Sequence, residues 1–174
     1  MIIDIIAGTR PNFVKIASIV HAFKVQFASN PRLNYRIIHT GQHYDASMSS
    51  DFFDQLGIQQ PKFNLNVGSG TQAEQTSAIM IAYEKILLND LCDLCVVVGD
   101  VNSTIACAIT AKKMNIKVAH VEAGIRSGDI SMPEEINRIV TDSICDFFFT
   151  TSNSANKNLI KYGIDSKKIF FVGN

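Results

Sequence analysis

Charge of one sign is what this sequence lacks. Sixteen Lys and Arg balance sixteen Asp and Glu among 174 residues, for a formal net charge of zero. A phosphate backbone is gripped mainly by clustered cations, and no such cluster is present, which argues against nucleic acid and anionic membrane surfaces as partners. One small phosphorylated ligand is still compatible, because it needs only a helix end and one or two cations. Long apolar runs are missing too: no uncharged stretch reaches the roughly 18 residues of a membrane span. The opening MIIDIIAGTR has no basic segment and carries Asp4 inside its apolar run, so it makes a poor export signal. The expected location is the cytoplasm. Cysteine is sparse, with Cys92, Cys95, Cys107 and Cys145 all in apolar surroundings, and reduced thiols are expected. Cys92 and Cys95 have C-x-x-C spacing, but no second pair completes a tetrahedral metal site. If Cys95 begins a strand, residues three apart point to opposite faces. Buried core thiols are the expectation.

Several chemical signatures are also absent. The chain has neither the three glycines of the dinucleotide fingerprint nor the Lys-Ser/Thr of a P-loop, so nicotinamide cofactors and ATP are unsupported. HExxH is missing, no His–carboxylate spacing suggests a metal, and G-x-S-x-G is missing. No metal and no cofactor are expected.

What is present is a folded domain. Apolar residues make up 47% of the chain and charged residues 18%, a globular balance. A chain of this length can bury about 70% of its surface without disulfides or metals. Short apolar runs alternate with longer amphipathic stretches. Ile2–Ala7, Tyr35–Thr40, Leu94–Val98, Lys117–Val121, Phe147–Thr150 and Ile169–Val172 read as strands. Helical spacing covers Pro11 to about Ala28, residues 45–56, Thr71 onward, the stretch before Met114, Pro133 to Ile144, and Ser152–Tyr162. Pro61 to Gly70 reads as a loop. Strands separated by helices imply right-handed βαβ units and a parallel sheet covered on both faces. The expected fold is a doubly wound, Rossmann-like α/β domain. Asn174 falls where such a fold would turn into another helix, so further chain is expected beyond it.

In an open parallel sheet, ligands bind beyond the carboxyl ends of the strands. Four such ends carry polar residues: Gly8-Thr9-Arg10-Pro11, Gly41-Gln42-His43, Gly99-Asp100 and Glu122-Ala123-Gly124. The first is a tight turn into a helix, with Arg10 in the turn and Lys15 one turn on, a reasonable anion site. His43 follows a strand end and is a binding candidate. Asp100 has a competing structural reading as cap of the next helix. Glu122 directly ends an apolar strand, where a carboxylate is costly unless used. Two such carboxylates in one crevice would drive their protonation apart, as acid–base chemistry requires. Glu134 and Arg138 are i and i+4 on the helix after Pro133, so they can pair on one face. A solvated surface pair is the bland reading of that spacing. His120 and His39 read as buried, hydrogen-bonded histidines.

Taken together and in order, GTRPNFVKIA (8–17), TGQHYD (40–45), VVVGDVNST (96–104), HVEAGIRSGD (120–129), PEEINRIVTD (133–142) and VGN (172–174) resemble the UDP-N-acetylglucosamine 2-epimerase family. The resemblance implies a fold similar to two-domain B-type glycosyltransferases, with the active site between two Rossmann-like domains, the second gripping much of the UDP. Residues 1–174 would then be the N-terminal domain carrying half of the cleft, the C-terminal UDP-binding domain being absent from this chain. It implies expulsion of UDP from C1 while a base removes the C2 proton, and re-addition of UDP with inversion at C2. Residue by residue, the family's catalytic acids match Asp100, Glu122 and Glu134, and its arginine matches Arg138. Arg10 and Lys15 match its nucleotide-side basic residues. A UDP-sugar partner, a homodimer, no cofactor and no obligatory metal are further implications. Val101-Asn102-Ser103-Thr104 stands where well-known members carry a run of threonines, and Tyr44-Asp45 departs from the usual residues after Gln-His. Other readings are an epimerase of a modified UDP-sugar, a non-catalytic nucleotide-sugar binding domain, and the N-terminal domain of a B-type glycosyltransferase. The PEEINR segment argues against the last.

Overall fold

The computed structural model describes residues 1–27, 32–41 and 50–173, with side chains left out at 27, 50 and 51. Its strands are β1 (Ile2–Ala7), β2 (Asn34–His39), β3 (Phe63–Asn64), β4 (Leu94–Val98), β5 (Lys117–Val121), β6 (Phe147–Thr150) and β7 (Ile169–Phe171). The helices are α1 (Arg10–Phe27), α2 (Ser50–Gln55), α3 (Gln72–Asn89), α4 (Asn102–Lys113), α5 (Pro133–Ile144) and α6 (Asn153–Lys161). One seven-stranded sheet runs β3-β2-β1-β4-β5-β6-β7, each neighbouring pair parallel.

The chain winds outward from β1 to β3, and α3 then returns it past β1 to β4. Right-handed crossovers in opposite directions put helices on opposite faces, and the core divides accordingly. Phe13, Ile16 and Val20 of α1 and Phe52 and Phe53 of α2 pack under Ile3, Ile5, Ile37 and Val96. Ile79, Tyr83 and Leu87 of α3, the small side chains of α4 and Leu159 of α6 fill the other face. The doubly wound α/β fold expected from the alternation is the one observed.

Local chemistry fixes the elements. Thr71 and Glu74 form a reciprocal capping box at the start of α3, Thr71 Oγ1 accepting from the Glu74 amide and Glu74 Oε2 from the Thr71 amide, which satisfies two otherwise orphaned donors. Pro133 sits in the first turn of α5, where its missing N–H costs nothing. Asp4, anomalous in an apolar strand, is completely buried. It lies opposite Arg36 in the β1–β2 register, ion-pairs with that guanidinium and accepts from Tyr83 at 2.9 Å.

Differences from the sequence reading are local. β3 lies inside the stretch read as a loop. It is two residues long and carries no periodicity; backbone bonds from Lys62 to Ile37 and from Leu65 to His39 hold it on the sheet edge. Helix α2 begins at Ser50, and residues 45–49 of the expected helix lie outside the described residues. All four cysteines are buried and free, burial pushing the Cys92 thiol up to about 12. Cys92 and Cys95 join the same core cluster rather than opposite faces, because Cys92 precedes β4 and does not follow strand alternation. Among the described residues, no helix is long and apolar enough to cross a membrane.

Candidate functional site

The site lies where the strand order reverses, at the carboxyl ends of β1, β4 and β5. At β1, Gly8 is dictated by packing: a Cβ there would stand 2.5 Å from Ser103 Oγ of α4. Ser103 Oγ is itself 2.7 Å from Thr40 Oγ1, beyond the end of β2. Buried Asn12 closes the turn, its Oδ1 accepting from the Thr9 amide at 2.9 Å and the Thr9 hydroxyl at 3.0 Å. Its Nδ2 donates to the Val98 carbonyl at 3.4 Å, joining the β1 turn to the end of β4. Arg10 begins α1, exposed, with its guanidinium over the Phe52 ring at 5.0 Å.

β4 runs into Gly99 at φ +73°, and β5 into Glu122 at φ +71°. The left-handed conformation is ordinary for glycine and uncommon for glutamate, and such outliers persist where surrounding structure over-determines them. Here the Glu122 amide donates to the Phe149 carbonyl at 2.9 Å. Its Oε2 receives Lys15 Nζ at 2.7 Å. A Cβ on Gly99 would meet the same Oε2 at 3.4 Å, so the Glu122 carboxylate stands beside the residue that precedes Asp100.

The third contribution comes from the first two turns of α5. Arg138 donates to Asp100 Oδ2 from Nε at 2.9 Å and from Nη2 at 2.6 Å. Its Nη1 reaches Glu135 Oε2 at 2.8 Å. Burial works against the guanidinium charge, but Glu135 and Asp100 outweigh it and raise its pKa. Asn137 Nδ2 donates to the Asp100 carbonyl at 2.8 Å. Asp100 is thus held by α5 through both side chain and backbone. Its carboxylate is not a helix cap: Val101 holds the cap position of α4 and no side chain bonds there.

The i,i+4 pairing of Glu134 with Arg138 does not form. Arg138 is drawn to the strand-end carboxylate and to the i+3 neighbour Glu135. Glu134 has no hydrogen-bond or ion-pair partner among the described residues and borders a polar cavity of about 240 Å³, with Gly70, Gln75, Asn102 and Asn137 on its walls. Glu135 instead does structural work, accepting the Ser127 amide at 3.0 Å and the Gly128 amide at 3.1 Å. Burial alone would raise its pKa, but those two amides and Arg138 bring it down to about 2.

Asp100, Glu122, Glu134, Arg138, Arg10 and Lys15 therefore stand at one edge of the sheet, while His43 lies outside the described residues. Asn12, Glu135 and Asn137 are parts of this site that residue pattern did not single out. The Glu135–Arg138 spacing of three was a readable signal. Asn12 and Asn137 carried none, because their roles depend on which helix docks on which strand end. His39 is buried, edge-on to Phe13, but its Nε2 has no partner among the described residues. Also among the described residues, no three His, Cys, Asp or Glu are grouped to hold a metal ion. What the arrangement offers is three carboxylates in different electrostatic settings: one clasped by a guanidinium, one by an ammonium, one unpaired. That is a workable basis for moving protons on two sides of a small ligand.

Known proteins share this architecture. A family model described as UDP-N-acetylglucosamine 2-epimerase matches residues 25–174. The UDP-N-acetylglucosamine 2-epimerase of Methanocaldococcus jannaschii is 47% identical over 174 residues, which is 100% of this chain and 46% of that protein. The crystal structure of the M. jannaschii enzyme in complex with UDP-GlcNAc and UDP superposes with a TM-score of 0.93, over 100% of this chain and 47% of that one. The UDP-2,3-diacetamido-2,3-dideoxy-D-glucuronate 2-epimerase of Pseudomonas aeruginosa is 41% identical over 171 residues, covering 97% of this chain and 47% of that protein. A lipopolysaccharide outer core galactosyltransferase, 15% identical, shares the fold alone, with a TM-score of 0.68 over 100% of this chain and 46% of its own. The chain spans just under half the length of the relatives it matches.

Proposed function

The chain belongs to the UDP-N-acetylglucosamine 2-epimerase family, and on that premise we propose that it is the N-terminal domain of a UDP-sugar 2-epimerase, supplying the acid–base half of a cleft whose UDP-gripping half is a second domain. The supporting observation is that Asp100, Glu122 and Glu134 all stand on the carboxyl-end side of the sheet, Glu134 having no partner among the described residues and bordering a polar cavity.

The chemistry asks for such an arrangement. C2 of the sugar is not alpha to a carbonyl, so its proton is too weakly acidic for simple removal. A carboxylate takes that proton as the C1–O bond breaks; the C2–H electrons form the C1=C2 double bond and UDP departs with the C1–O pair. Return of UDP to C1, with a proton delivered to the other face of C2, inverts that centre. Asp100, Glu122 and Glu134 are the acid–base groups. Arg138 touches the reaction through Asp100, whose orientation it holds. Arg10 and Lys15 face the diphosphate with the start of α1, and His43 is a further binding candidate. UDP-N-acetylglucosamine is the proposed substrate. A diacetamido uronic acid derivative is the second reading, favoured by the 41% identity to the Pseudomonas enzyme. Assembly as a homodimer and residence in the cytoplasm complete the proposal.

Glu134→Gln in the protein carrying its second domain is the test. Glutamine keeps the size and one acceptor but cannot exchange a proton, and the loss of an acid–base group costs about 10²–10⁴ in turnover. Since Glu134 has no partner among the described residues, folding and UDP-sugar affinity should scarcely change. The measurement is deuterium uptake at C2 from heavy water, with affinity on the same sample. Normal exchange in the variant would remove Glu134 from the mechanism.

A further inference from the structure

His120 sits at the fourth position of β5, completely buried. Its Nε2 is 2.9 Å from the Gly99 carbonyl oxygen and its Nδ1 is 2.7 Å from Asp142 Oδ1 on α5. A backbone carbonyl can only accept. The other Asp142 oxygen takes the Gly124 amide at 3.0 Å and Arg126 Nη1 at 2.7 Å. Burial alone would raise the Asp142 carboxyl, but His120 and Arg126 hold it below the usual carboxylate range. The ring therefore ties the end of β4 to α5 through both of its nitrogens.

We infer that His120 is the positioning residue that fixes the Asp100 turn, the Glu122 turn and α5 relative to one another. Gly99 immediately precedes Asp100. Glu122 lies two positions after His120 along the chain, and Gly124 two positions after that. Asp142 lies one turn beyond Arg138 on the helix that also carries Glu134. Each proposed acid therefore hangs from a backbone segment that ends on this node. Val97 and Phe148, the register partners of His120 on β4 and β6, are apolar. The charged or titratable groups around the node are Asp142 and Cys145 of α5 and Arg126 of the intervening loop; the Cys145 thiol is pushed up by burial and stays neutral. The guanidinium of Arg126 lies in turn over the Tyr162 ring at 5.1 Å, so the node is braced from outside by the end of α6.

The inference concerns the chain without substrate and holds or fails independently of the reaction proposed above. Positioning is read by amide hydrogen exchange. In His120→Gln, exchange at Gly99, Glu122 and Gly124 should rise at least tenfold beyond the change at buried α1 amides, which report any uniform loss of stability. A uniform change would reduce His120 to a packing residue. Should that variant not fold, Asp142→Asn keeps the ring and weakens its hold on α5, and the same three amides should exchange faster than the α1 reference; the absence of any local change there would sink the idea.

Discussion

Glu135 shows how one carboxylate can be committed to shape while its neighbour is left for chemistry. Its pKa is depressed to about 2 from the ordinary value of 4.5. A depressed carboxyl stabilises the fold above its unfolded value, and that contribution disappears as pH falls through the folded value. Wild-type and Glu135→Gln chains should therefore differ in urea midpoint at pH 6 and converge between about pH 4.5 and pH 2. A difference that persists unchanged at pH 2 would mean that the Ser127 and Gly128 bonds do not depend on charge. Glu134, one residue earlier, has no hydrogen-bond or ion-pair partner among the described residues and borders the cavity instead. Nothing in the adjacent letters Glu-Glu separates the two roles. Helix periodicity put Arg138 within reach of both, and the choice was made by the Asp100 carboxylate arriving from another element.

At the level of elements, legibility followed burial pattern. β1, β4, β5 and β6 were readable because a strand covered on both faces is apolar throughout, and the helices between them because one face is apolar every three to four residues. β3 was not, since a two-residue edge strand is defined by the Ile37 and His39 carbonyls it pairs with rather than by its own residues. Strand-end positions made Asp100 and Glu122 stand out, but Asn12 and Asn137 became part of the site only through the docking of α1 and α5. The Asp4–Arg36 pair is the converse case, an oddity visible in sequence whose explanation is a partner on the next strand. Removing one member of a buried pair typically costs about 3–5 kcal/mol, whereas replacing both with apolar residues of similar volume is often neutral. Asp4→Asn should lower stability on that scale in chemical denaturation, and Asp4→Leu combined with Arg36→Met should recover most of the loss. A single variant as stable as the wild type would show that the pair contributes only register.

The whole molecule presents an open half of the proposed cleft. Productive positioning can supply about 7–11 kcal/mol of a reaction barrier, and each 1.36 kcal/mol forfeited is a factor of about ten in rate. On the proposed division of labour, the 174-residue chain alone should give no measurable interconversion of the C2 epimers. Interconversion at the rate of a complete enzyme would place the UDP grip within residues 1–174. The strand order has a different consequence, for synthesis. Residues that meet at the site are far apart in the chain, 86 positions between Asn12 and Val98 and 107 between Lys15 and Glu122. Contacts of such long range are slow to form. On the ribosome, β1 and β2 can pair early, yet the other edge of β1 has no mate until Leu94–Val98 has emerged. Throughout that interval the nascent chain carries a bare, apolar strand edge, the kind of surface that chaperones hold and that aggregation exploits.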